Sequence, residues 1–137
     1  MSLSVRERCD AIEECYEFML AYAAQGVAGE AGSPNADQLR TLLARAEEAL
    51  VGLADTFAAA VAEADLEPAA PYRSFLAVLD RDALDSRAAF QLVLAQPAIS
   101  SQLVDNLNAS IHVRALLTDI FLIDEVLASH LRSPQAP

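Results

Sequence analysis

The chain has 137 residues, 54% of them hydrophobic, and carries a formal net charge of −11, with nine arginines and no lysine. This length fits one domain with a sizeable core, and so strong a negative charge without a concentrated basic face excludes direct nucleic-acid binding. No apolar stretch is long and uncharged enough to cross a bilayer, and none resembles a secretory leader, so we expect a soluble, cytoplasmic protein.

Apolar residues recur at helical spacing along most of the chain and predict an all-α, up-and-down helical bundle. The four main helices are predicted at about 4-25, 35-65, 71-95 and 99-132. The clearest repeat, from Leu39 to Ala64, alternates steps of four and three residues, the spacing of a helix packed along its neighbours. We therefore expect a single bundle domain over 1-132 and a disordered tail over 133-137.

Local signals mark where the first two helices begin. Ser4 with Glu7 three residues later predicts a capping box, and Ser33 before Pro34 predicts the next helix start. Gly52 falls inside the second predicted helix. We interpret it as a point of close approach by another helix, with a kink as the alternative.

Three segments interrupt the regular pattern. The loop at 26-33 holds three of the four glycines and lacks the spacing of a phosphate-binding loop. The charged stretch around 80-86 predicts a break in the third helix. In the last helix the apolar side changes along its length, which predicts either a bend near Ile111–Arg114 or a second half that is covered from several sides.

The second half of the last helix is apolar almost all round, which is typical of a helix that contacts a second subunit. This surplus predicts a homodimer, or another protein partner, on an interface formed by these residues: Leu116, Leu117, Ile120, Phe121, Leu122, Ile123 and Leu127. The leading functional prediction is a small non-enzymatic interaction module, such as an adaptor, an accessory subunit or a chaperone. The acidic face of the first helix would then attract basic partner surfaces.

The alternative is a bundle with a buried ligand site between the first and last helices. Its pocket would be formed by Cys9, Tyr16, Met19, Tyr22 and His112. A stripe of this kind is also ordinary core, so the pattern leaves both interpretations open.

The polar residues predict neither a metal centre nor an enzyme. A di-iron bundle needs Glu three residues before each ligating histidine, but Ala109 and Leu127 stand before His112 and His130. No catalytic constellation or cofactor motif is present. Cys9 and Cys15 lie about 9 Å apart along one helix, too far for a disulfide, and the sequence does not say whether either thiol is reactive.

Overall fold

The computed structural model describes residues 3-26 and 33-132, and in this part of the chain every regular element is a helix. The six helices are α1 (Val5–Ala24), α2 (Pro34–Leu50), α3 (Leu53–Glu63), α4 (Ala69–Leu94), α5 (Ser101–Ala109) and α6 (Ile111–Arg132). The predicted all-α bundle is confirmed, but two of the four predicted helices are each divided. Most of the predicted loop at 26-33 and the whole of the predicted tail at 133-137 lie outside the described residues.

The predicted starts of α1 and α2 are both confirmed. Ser4 Oγ accepts a hydrogen bond from the Glu7 amide, and the Glu7 carboxylate accepts one from the Ser4 amide, which completes the capping box. Ser33 caps α2 by accepting a hydrogen bond from Ala36, and Pro34 occupies the first helical position. These caps satisfy amides that have no partner within the helix.

The second predicted helix breaks at Gly52, which separates α2 from α3. Gly52 has a φ of 78° in the left-handed region, and a Cβ placed there would meet its nearest heavy atom, on Arg8, at 3.8 Å. That is an ordinary contact distance, so our interpretation of close helix approach is wrong. The glycine is required because the chain takes a backbone conformation that other residues adopt at a cost.

Replacing Gly52 by alanine tests this break. We expect Gly52→Ala to lower the free energy of unfolding by about 1–2 kcal/mol, because a side chain is strained at positive φ. Urea unfolding followed by circular dichroism measures the change. A rise of about 1 kcal/mol would contradict the break, since that is the result expected for a glycine inside a continuous helix.

Arg8 of α1 stabilises the broken end of α2. Its side chain is buried and donates hydrogen bonds to the carbonyls of Ala49 and Val51 at the end of α2, and to that of Leu3. The last carbonyls of a helix have no hydrogen-bond donor within the helix, and they carry partial negative charge. The Arg8 guanidinium donates hydrogen bonds to them, and its positive charge balances their negative charge. Arg40 of α2 acts likewise on the carbonyls of Leu94 and Gln96, at the end of α4.

The predicted break near 80-86 is wrong, because α4 runs unbroken through it. Its core positions keep helical spacing through the charged stretch, with Leu79, Ala83, Ser86 and Phe90 all buried. The charged residues fill the other sides of the helix, so they interrupt the apolar pattern without interrupting the helix.

The last predicted helix is divided at Ser110, whose ψ of 131° is not helical. The division lies next to the predicted bend at Ile111–Arg114. It explains why the apolar side changes along this segment: α5 packs mainly on α1, whereas α6 packs mainly on α4. Tyr22 and Ser101 join α1 to α5, since the Tyr22 hydroxyl donates to the Ile99 carbonyl and Ser101 Oγ donates to the Tyr22 carbonyl.

Candidate protein-interaction face

The predicted interface on the last helix is not one surface. Most of its members belong to the protein's own core: Leu116, Leu117, Ile120 and Ile123 are buried, and Leu127 is partly buried. Phe121 and Leu122 remain, with 55% and 53% of their surface exposed. Most of the apolar surplus is therefore covered within a single chain, and the sequence-based argument for a second subunit loses most of its residues.

Phe121 and Leu122 lie on different sides of α6. Phe121 is on the side of Asp124, whose carboxylate lies 3.6 Å from the guanidinium of Arg6 on α1. Leu122 faces the α4 side, where it lines a groove with Phe75. Consecutive helical residues point about 100° apart, so the two side chains serve different surfaces.

The structure does not bring the predicted ligand-pocket residues together around a cavity. Cys9, Met19 and Tyr22 are packed in the core, and Tyr16 is partly buried against it. His112 is exposed at the start of α6, where its Nδ1 lies 3.9 Å from a carboxylate oxygen of Asp85. The apolar stripe of α1 is therefore part of the hydrophobic core, which is the second of the two interpretations that the sequence leaves open.

The two cysteines lie in surroundings that do not activate their thiols. Both are buried and unpaired, and burial raises the pKa of the Cys9 thiol and that of the Cys15 thiol to about 12. Since the thiolate is the nucleophilic form, neither side chain is activated at neutral pH.

The side of α6 that carries Leu122 forms one surface with the neighbouring side of α4. The two helices run antiparallel. The Tyr72 hydroxyl, near the start of α4, lies 3.4 Å from Nε2 of His130, near the end of α6, and Ser86 Oγ, further along α4, donates to the His112 carbonyl at the start of α6. We call the surface along their line of contact the α4–α6 face. It comprises Phe75, Val78 and Asp82 of α4 with Asp119, Leu122 and Val126 of α6.

The apolar half of the α4–α6 face contains an open groove of about 280 Å³. Its lining residues are Pro71, Tyr72, Phe75, Leu122, Ile123 and Val126. Val78, also exposed, lies on the same side of α4 because it stands between Phe75 and Asp82 at helical spacing. Leu20, another exposed apolar residue, belongs to α1 and does not line this groove.

The other half of the face is centred on two acids. Asp119 is only 7% exposed, and burial, followed by the hydrogen bond and the charge of the adjacent Asp82 carboxyl, raises the pKa of Asp119 to about 7. Its Oδ2 atom is buried and has no hydrogen-bond donor among the described residues. Two carboxyls in contact can share one proton, or they can both be ionised when a cation pairs with them.

The sequence analysis missed this acid pair. Asp82 is part of the charged stretch at 80-86, and the steps of seven and eleven residues that place Asp119 on one stripe with His112 and His130 predict an exposed polar edge. The structure corrects this prediction, because it buries Asp119. A signal was present, because Asp119 stands between Ala115 and Leu122 at helical spacing, and an acid in such an apolar stripe is costly when buried. The partner could not be found in this way, since Asp82 belongs to another helix.

No protein-family model, curated protein or solved structure matches this chain. The function therefore has to be argued from the site itself.

Two further findings limit the chemistry of the described residues. Over 3-26 and 33-132 no group of three or more His, Cys, Asp or Glu side chains is placed to hold a metal ion. In the same part of the chain, no helix combines the length and the apolar character needed to span a bilayer.

Proposed function

We propose that this protein is a non-enzymatic protein-interaction module and that the α4–α6 face is its docking surface. The observation that carries the proposal is the clustering of exposed apolar side chains along two adjacent helices, with an open groove between them. Exposed apolar clusters rimmed by polar residues are typical of protein-binding surfaces, and a groove between helices is a common receptor for a partner's amphipathic helix.

A different protein fits the face better than a second copy does. Two copies joined face to face would bring two acid pairs into one interface, and each molecule carries a net charge of −11. Like charges buried together cost free energy unless they are neutralised. The homodimer predicted from the sequence is the alternative, and of the residues predicted to form it Leu122 is the exposed one on this face.

An acid pair with a pKa near neutrality also occurs in acid–base catalysis. A docking role is favoured because the acids lie beside an open apolar groove rather than within an enclosed pocket of converging polar groups.

The proposal places the protein in the cytoplasm, a compartment that suits its two unpaired cysteines.

The test compares two glutamate substitutions at leucines of similar exposure, Leu122→Glu on the α4–α6 face and Leu20→Glu on α1. Proteins bound by the wild type in native extract are identified by mass spectrometry, and the candidate partner is purified for calorimetry. We expect Leu122→Glu to weaken its binding by about 30-fold, the loss of an interface anchor of about 2 kcal/mol, whereas Leu20→Glu leaves it unchanged.

Equal binding by wild type and Leu122→Glu would contradict the proposed surface. Light scattering of the purified wild type at high micromolar concentration measures its molar mass and so tests whether a second copy of the chain occupies the face. A dimer that Leu122→Glu dissociates would show that a second copy occupies the face, and it would overturn the proposal of a different protein. Urea unfolding checks that both variants fold, since surface substitutions change stability by about 0.5 kcal/mol or less.

A further inference from the structure

We infer that the partner presents an arginine between apolar residues of a helix, and that its guanidinium binds Asp82 and Asp119. The inference rests on the proposed docking role of the α4–α6 face and specifies the partner's chemistry.

The acid pair leaves one buried oxygen atom without a hydrogen-bond donor. Asp119 is more than nine-tenths buried, yet its Oδ2 atom lacks a donor among the described residues. A buried acceptor without a donor destabilises the folded protein, and more so when it is charged. A docked cation with several N–H groups would remove this cost and would also neutralise the repulsion between the two carboxylates.

The surroundings are open to such a donor. Asp119 lines a second groove of about 550 Å³, together with Ile111, Arg114, Ala115 and Thr118. Arg114 belongs to the same helix and forms no ion pair within the described part of the chain. The protein's own cation in this groove therefore does not neutralise the acids, and the position is available to a side chain from outside.

The apolar residues on either side define the rest of the partner segment. Leu122 and Val126 follow Asp119 along α6, and Ala115 and the exposed Ile111 precede it. A helix lying along α6 would place apolar side chains about one turn before and after the residue opposite Asp119. Arginine fits that residue better than lysine does, because its planar fork of five donors can bond to two carboxylates at once.

Charge complementarity supports a basic segment as the occupant. The net charge of −11 raises the encounter rate with cationic partners, and the acid pair would hold the cation once it arrives. A helix with only acidic and apolar side chains at this position would leave the buried oxygen of Asp119 without a donor.

The probe is a synthetic helical peptide with leucines at positions i and i+7 and one arginine at i+3 or i+4. Its matched control carries citrulline, which has the shape of arginine without its charge. We expect calorimetry to show that the citrulline peptide binds the wild type about tenfold more weakly than the arginine peptide. Against the double variant Asp82→Asn with Asp119→Asn, the two peptides should bind within about twofold of each other. The single variant Asp82→Asn is an independent test, and it should also reduce the preference for the arginine peptide over the citrulline peptide.

Each other outcome has a defined meaning. Equal binding of both peptides to the wild type, lost in Leu122→Glu, would overturn the arginine inference while supporting the docking face. An unchanged preference for the arginine peptide in the double variant would show that the cation binds elsewhere and would also overturn the inference. Absence of binding by both peptides would do the same. The proposed function itself is judged on the captured partner and its response to Leu122→Glu.

Discussion

Replacing Arg8 by methionine is expected to lower the free energy of unfolding by about 3–4 kcal/mol. Arg8 is 8% exposed and donates three hydrogen bonds to backbone carbonyls, two of them at the end of α2. Methionine keeps much of the buried apolar stem and removes every donor. The carbonyl of Ala49, whose hydrogen bond with Arg8 is buried, would then lose this donor inside the protein, which costs more than the loss of the bond alone.

The measurement is urea unfolding at neutral pH, with Arg45→Met as the control. Arg45 lies 3.5 Å from Glu14, but both side chains are more than half exposed. Exposed ion pairs contribute about 0.2–1 kcal/mol at most, so the control should change stability little. Equal effects of Arg8→Met and Arg45→Met would contradict the role assigned to Arg8 at the end of α2.

Replacing Asp119 by asparagine is expected to stabilise the free protein above neutral pH, on the order of 2 kcal/mol at about pH 8. The pKa of Asp119 is about 7 in the folded protein against an ordinary value of 3.8, so the folded state retains a proton that the unfolded state releases between these values. Stability contributed by this group is therefore present at low pH and is lost as pH rises through about 7. Asparagine has no proton to lose, and its amide can donate to Asp82.

The gain from Asp119→Asn should consequently shrink as pH falls and disappear below about pH 4. Unfolding in urea across this range measures it, as the difference between wild type and variant. Asp80→Asn is the control, because Asp80 is exposed on the same helix as Asp82. A difference that does not vary with pH would show that the pKa of Asp119 is not raised in the folded protein.

The sequence was sufficient to predict the fold class, because helix formation depends on local spacing and caps. It was insufficient to place the helix breaks. The apolar repeat from Leu39 to Phe57 remains buried on both sides of Gly52, so the periodicity continues through a point where the helix does not. What marks the break is the backbone conformation of one glycine and the arginine of another helix, and neither has a periodic signature.

The candidate site was harder to predict than the fold, since it depends on which side of α6 faces α4. Phe121 and Leu122 are both large apolar residues of similar exposure. Only the packing of α6 against α4 assigns Leu122 to the groove. The acid pair requires the antiparallel alignment of α4 with α6, which brings Asp82 to Asp119. Contacts between helices of this kind are not encoded in the spacing along either one.

Site-specific photo-crosslinking in the cells that make the protein tests the central claim most directly. A photoreactive phenylalanine analogue is placed at Leu122 on the α4–α6 face and, in a separate protein, at Leu20 on α1, where exposure is similar. The account predicts a discrete crosslink to a different protein from Leu122 and none from Leu20. A product of two copies of this chain, equal crosslinking from both positions, or no crosslink from Leu122 would contradict it.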